Sequence, residues 1–127
     1  MWHAVKLTNG HFVVCHGALT DLSHMLCVVD NKGVVLKAFV EDSNTLKCLS
    51  DLMHLAMDLE DSIFVADNKN SRVLLLNSNL EFKRELLTVK DGFNYPLITF
   101  DERNGRLFVV SDRWLNQDHK ILVFDIK

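Results

Sequence analysis

Histidine, cysteine and arginine are the residues of this sequence with the widest chemical reach, and they sit at defined places. His3 and His54 open two similar apolar segments, "HAVKL" and "HLAMD", and Cys15-His16 closes a third, "FVVCH". Two imidazoles from neighbouring strands could hold a metal if carboxylates converged beside them. The segments that carry His3 and His54 lack such a cluster, so both are expected to line a core or a channel. Cys15 and His16 cannot easily share one ion, because successive residues of a strand point to opposite faces. Arg72 in "NSRV" has the planar fork that suits phosphate or carboxylate. At a strand entry it is expected instead to brace its own hairpin through Asp67 or a carbonyl. Arg113 and Trp114 in "SDRWLNQDHK" place a cation beside a large aromatic, a combination enriched at protein interfaces and able to stack on bases. The carboxylates of Asp101-Glu102 lie next to Asn104-Gly105 and read as solvated turn residues. Neither a glycine-rich phosphate loop nor a serine nucleophile elbow is present.

These side chains depend on the elements that hold them. A chain of 127 residues suits one domain, able to bury about two-thirds of its unfolded surface. With 48% hydrophobic and 24% charged residues, it is expected to be ordered throughout. The net charge of −3 supplies no global positive field to draw in nucleic acid or an anionic membrane. The start "MWHAVKLTNG" lacks the apolar core of a signal peptide, and no run reaches the ~18 residues that span a bilayer. Cys15, Cys27 and Cys48 form no Cys-x-x-Cys pair and read as buried free thiols in a reducing compartment. The expectation is a cytoplasmic protein with no cofactor and no membrane contact.

The organising feature is a repeat. "IFVADNKNSRVLLLN" reads as a strand over 63–66, a polar turn of Asp67, Asn68, Asn70 and Ser71, and a strand over 73–76. The same order of apolar strand, polar loop and apolar strand recurs in "HFVVCHGALTDLSHMLCVVD" and "RLFVVSDRWLNQDHKILVFD". Phe12, Phe64 and Phe108 lead the first strands, and Met25, Arg72 and Lys120 fall on matching places. Each hairpin follows another short strand, and in two repeats the turn between them is Asn-Gly, Asn9-Gly10 and Asn104-Gly105. That pair is a strong hairpin signal because both residues accept positive φ. Alternating segments after the first two hairpins, "GVVLKAFV" and "LEFKRELL", add a fourth, half-exposed strand. The segment Ser50 to Asp61 has helical spacing of its apolar residues, but its counterparts at 2–7 and 97–101 are too short or too β-branched for helix, and the repeat assigns it to a strand. The fold expected is therefore all-β: three four-stranded antiparallel β-propeller blades over 1–40, 46–87 and 93–127 within a single domain, the last short of one strand.

"FVADNKNSRVLLL" resembles the NHL repeat, with its Val-Ala-Asp, Asn-bearing turn and Arg-Val strand entry. "WHAVKLTNGHFVVCHG", "MLCVVDNKGVV", "YPLITFDERNGRLFVVSD" and "KILVFDI" are similar to further blades of the NHL domains at the C-terminus of tripartite-motif (TRIM-NHL) ubiquitin ligases and related invertebrate proteins. Cys15 and Ser111 replace Asp67 in the other repeats, and Met25 and Lys120 replace Arg72. The resemblance implies a propeller that closes with six blades, of which this chain holds three. No RING, B-box or coiled coil accompanies them, so ligase activity is not assigned. The open ends require either a second copy, forming a homodimer ring, or further blades of a longer polypeptide.

Two functions are consistent with this reading. The first is a non-catalytic NHL-type module that binds a protein, or RNA, through the loops joining second and third strands. Arg113, Trp114, Lys69, His16 and Tyr95 are its candidate contacts, and Asp67, Asn70 and Arg72 are structural turn residues. The second is a propeller enzyme, a metal-dependent hydrolase or lyase with histidines at a central channel. Only His3 and His54 qualify as channel ligands, which favours the first function, and the acidic balance places a protein partner ahead of RNA.

Overall fold

A computed structural model describes residues 3–16, 25–39, 53–67, 71–87, 96–111 and 121–126. Among them every regular element is a β-strand. The first sheet runs β1 (His3–Lys6), β2 (Phe12–His16), β3 (Met25–Val29) and β4 (Val35–Ala38); the middle sheet runs β5 (Met53–Met57), β6 (Ile63–Asp67), β7 (Arg72–Leu76) and β8 (Phe82–Leu87). The third sheet holds β9 (Pro96–Asp101), β10 (Arg106–Ser111) and β11 (Ile121–Asp125). Every strand pairs antiparallel with its sequence neighbour within the sheet. The helix-forming residues of 53–57 adopt a strand because β6 pairs with all five of them, from Met53↔Asp67 to Met57↔Ile63, so tertiary pairing overrides local propensity.

The sheets stack face to face, and two apolar layers fill the gaps. Between the first and middle sheets lie Val13, Cys15 and Leu26 against Leu55, Ile63, Val65 and Leu74. Between the middle and third sheets lie Phe64, Ala66 and Val73 against Ile98, Leu107 and Val109. Strand β6 serves both, since its odd residues face one layer and its even residues the other. That is why "IFVA" is apolar without alternation, and β6 is buried at every position including Asp67. Ile63, Phe64, Leu74 and Leu76 keep no exposed surface, and each such side chain contributes about 1.5–3 kcal/mol by burial.

Phe64 and Phe108 occupy matching places as expected, but the first repeat aligns one residue away from the register expected from Phe12. Asp67 pairs with Arg72, and Met25 pairs with His16, so His16 rather than Cys15 stands where Asp67 stands. Phe12, opposite Lys6, accordingly matches Ile63, opposite Met57, and Leu107, opposite Phe100. Because side chains alternate with period two, this single step turns every residue to the other face. Cys15 is thereby a core residue of the first layer.

The turns also differ from the two-residue type that Asn-Gly suggests. Gly10 and Gly105 take positive φ, whereas Asn9 and Asn104 do not. In the turns 7–11, 30–34, 58–62 and 77–81 the fourth residue has positive φ and its N–H bonds the first residue's carbonyl. In three of them the opening side chain stabilises the turn: Asp30, Asp58 and Asn77 each accept the N–H groups two and four residues on. These donors hold the Asp30 carboxyl below its usual range. Asp61 and Leu80 occupy the left-handed position where Gly10 and Gly33 stand in the other two turns.

Candidate functional site

Two contacts between sheets establish which ends of the strands lie together. Thr8, in the β1–β2 turn, donates its N–H (3.2 Å) and its hydroxyl (2.6 Å) to the carboxylate of Asp61, in the β5–β6 turn. The β5–β6 turn and Gly105 of the β9–β10 turn line one cavity. All three turns therefore share one end of the stack. The last residues of β2, β6 and β10, His16, Asp67 and Ser111, lie at the other end, the loop end.

At the loop end, Arg72 Nε donates to Asp67 Oδ2 at 2.8 Å, with both side chains almost fully buried. The two residues face each other across the last rung of the β6–β7 ladder, so the bond closes the base of the loop 68–70. A charge-assisted bond in a dry setting holds such a base rigidly. Of the residues expected to contact a partner, Lys69, Tyr95, Arg113 and Trp114 lie outside the described residues, as does the turn residue Asn70. The backbone of His16 ends β2 at the same end, opposite Met25.

His3 and His54 come together along the innermost strands. Their rings stack in parallel with centroids 4.6 Å apart. His3 Nδ1 accepts the N–H of Leu55 at 2.9 Å, a donor on the edge of the middle sheet that β6 does not use. His54 Nδ1 is buried and has no partner among the described residues. Burial holds both imidazoles below their ordinary pKa; for His54 the neighbouring His3 adds to this, and a backbone bond to Ile98 opposes it. Stacked rings present their faces to each other and not their nitrogens, so this pair is arranged as packing. Among the described residues no three of His, Cys, Asp and Glu are grouped to hold a metal ion.

At the turn end a cavity of about 350 Å³ opens between the middle and third sheets. Asp58, Leu59 and Glu60 form one wall, Phe100 and Gly105 the other, and Arg84 stands at the side. The corresponding gap between the first and middle sheets is clamped by Thr8 and Asp61. In the second junction the matching places carry Leu59, which is 65% exposed, and Gly105, which has no side chain. Sequence reasoning missed this cavity because its walls come from residues some forty apart in the chain. The available signal was a Thr in one turn replaced by Leu in the next.

Burial pushes the thiols of Cys15 and Cys27 up from the ordinary value, and neither forms a disulfide. No family model matches the chain, and no curated protein matches it.

Proposed function

We propose that the three sheets are blades of an NHL-type propeller, and that the chain is a non-catalytic interaction module which takes a protein partner on its loop end. The observation that carries this reading is that the last residues of β2, β6 and β10 lie at one end of three stacked sheets, the middle of which is buried on both faces. Binding residues concentrate on loops held by such rigid supports, and the buried Asp67–Arg72 bond anchors one of the three. The net charge of −3 disfavours a phosphate backbone and leaves a protein as the ligand class.

The test is capture of partners from a lysate with the wild-type chain and with Trp114→Ala and Arg113→Ala, each checked for native far-UV circular dichroism. Loss of a specific protein from both variants supports the loop end as the binding surface. Retention of every partner by both variants refutes it, and binding to an RNA whose affinity falls steeply with salt replaces protein by nucleic acid.

A further inference from the structure

The two ends of the stack carry unlike faces. On the outer side of the third sheet, Leu97, Val110 and Ile121 lie across one row, and Thr99, Phe108 and Val123 across the next. Ile121 is 61% and Val123 49% exposed, against 38% for Leu122 on the inner side of the same strand. On the outer side of the first sheet, Ala4, Val14, Cys27 and Ala38 form one row, in which Ala4 and Ala38 are exposed while Cys27 is already buried within the single chain. Lys6, Phe12, Val29 and Val35 form the next, with Lys6 Nζ 6.0 Å above the Phe12 ring.

These two faces are the halves of a junction the molecule already makes once. In register, Phe108 and Val110 occupy the places that Phe64 and Ala66 occupy in the middle sheet. Phe12 and Val14 likewise occupy the places of Leu107 and Val109. Phe64 and Ala66 pack on Leu107 and Val109 inside the stack. The outer face of the third sheet is therefore shaped to receive the outer face of the first. Charge agrees with shape: Lys6 stands where Phe100 stands, and Phe100 borders a cavity with Asp58, whose counterpart at the end of β9 is Asp101. A Lys6 docked on the third sheet would reach Asp101.

We propose that a second copy of this chain covers both faces, the third sheet of each copy packing on the first sheet of the other to close a six-sheet ring with two-fold symmetry. The proposal rests on the blade reading above. Two identical seams follow from one symmetry operation, which leaves no face open for further growth. Three strands ~4.8 Å apart and about five residues long give each face roughly 240 Å² of flat area. Four such faces total about 1,000 Å², and side-chain relief raises this into the range of specific interfaces, about 1,200–2,000 Å².

Light scattering on the whole chain over a hundredfold concentration range tests the proposal, with two variants that place charges on opposite faces, Val123→Asp and Phe12→Lys. The wild type should show twice 14.6 kDa. Each variant alone should be monomeric over the same range, because a charge buried in each of two seams weakens pairing about a hundredfold or more. An equimolar mixture should regain the dimer, since one seam is then native and the other pairs Asp with Lys. Ile121→Asp, at a more exposed site, substitutes if Val123→Asp fails to fold by circular dichroism. A monodisperse wild-type monomer, a mass growing without limit, or a mixture that stays monomeric would overturn the ring. None of these outcomes touches the loop-end reading, which the Trp114 and Arg113 variants test separately.

Discussion

Replacing Asp67 by alanine removes a carboxylate partner of a guanidinium that keeps only 6% of its side-chain surface exposed. The remaining Arg72 charge sits at the start of β7 beside Val73 and Leu74, which have no exposed surface, so water replaces the lost carboxylate poorly. Breaking such a pair from one side costs about 3–5 kcal/mol, mainly as the desolvation of the charge left behind. Against a total stability of about 5–15 kcal/mol this is a large share. With a urea slope of about 2 kcal/mol per molar, the unfolding midpoint should fall by about 2 M. Far-UV circular dichroism in urea, at one fixed protein concentration because association would shift the midpoint, measures it. Two controls separate the pair from the burial around it. Asp125→Ala breaks an exposed pair with Arg106 and should leave the midpoint in place. Adding Arg72→Met to Asp67→Ala should recover most of the loss, because no charge then remains buried. A loss below about 1 kcal/mol in the single variant, or no recovery in the double, would show that the pair is hydrated and does not anchor the loop base.

Further tests follow from the same physics. The pKa values of His3 and His54 are lowered in the fold, so the unfolded chain takes up protons first as pH falls through about 6.5. Stability should be flat above that pH and decline below it, and His54→Gln should flatten the decline in urea titrations between pH 7.5 and 5. In a Cys48→Ser variant, Cys15 and Cys27 should resist a thiol reagent in the folded state and react at once in urea, since burial both hides them and disfavours thiolate. Asp61→Asn keeps a residue that tolerates the left-handed conformation but removes the charge that accepts from Thr8. It should cost about 1 kcal/mol and speed hydrogen exchange at the Thr8 amide. Phe64→Ala, which empties a site against Phe100 and Leu107, should cost about 3–5 kcal/mol in the same urea assay.

The sequence by itself determined that the chain is built of antiparallel strands in three similar groups, the last with three strands. Apolar segments of about five residues between turn-forming Asp, Asn and Gly permit little else. Helical spacing in 50–61 conflicted with the strand that the repeat assigned, because spacing reads one segment alone and the pairing of Met53–Met57 with β6 selects the extended form. Register was legible only to within one residue: several apolar residues in succession fit either alignment, and the Asp67–Arg72 and His16–Met25 rungs were needed to choose. The turn type was not legible either, since Asn-Gly serves both two-residue and longer turns and the backbone bonds that distinguish them close only in the folded hairpin. Tertiary structure alone decided the His3–His54 stack, the Thr8–Asp61 clamp and the cavity that opens where that clamp is missing. Each joins residues about forty to fifty positions apart, and it exists because stacking the sheets fixes distances that no sequence spacing encodes.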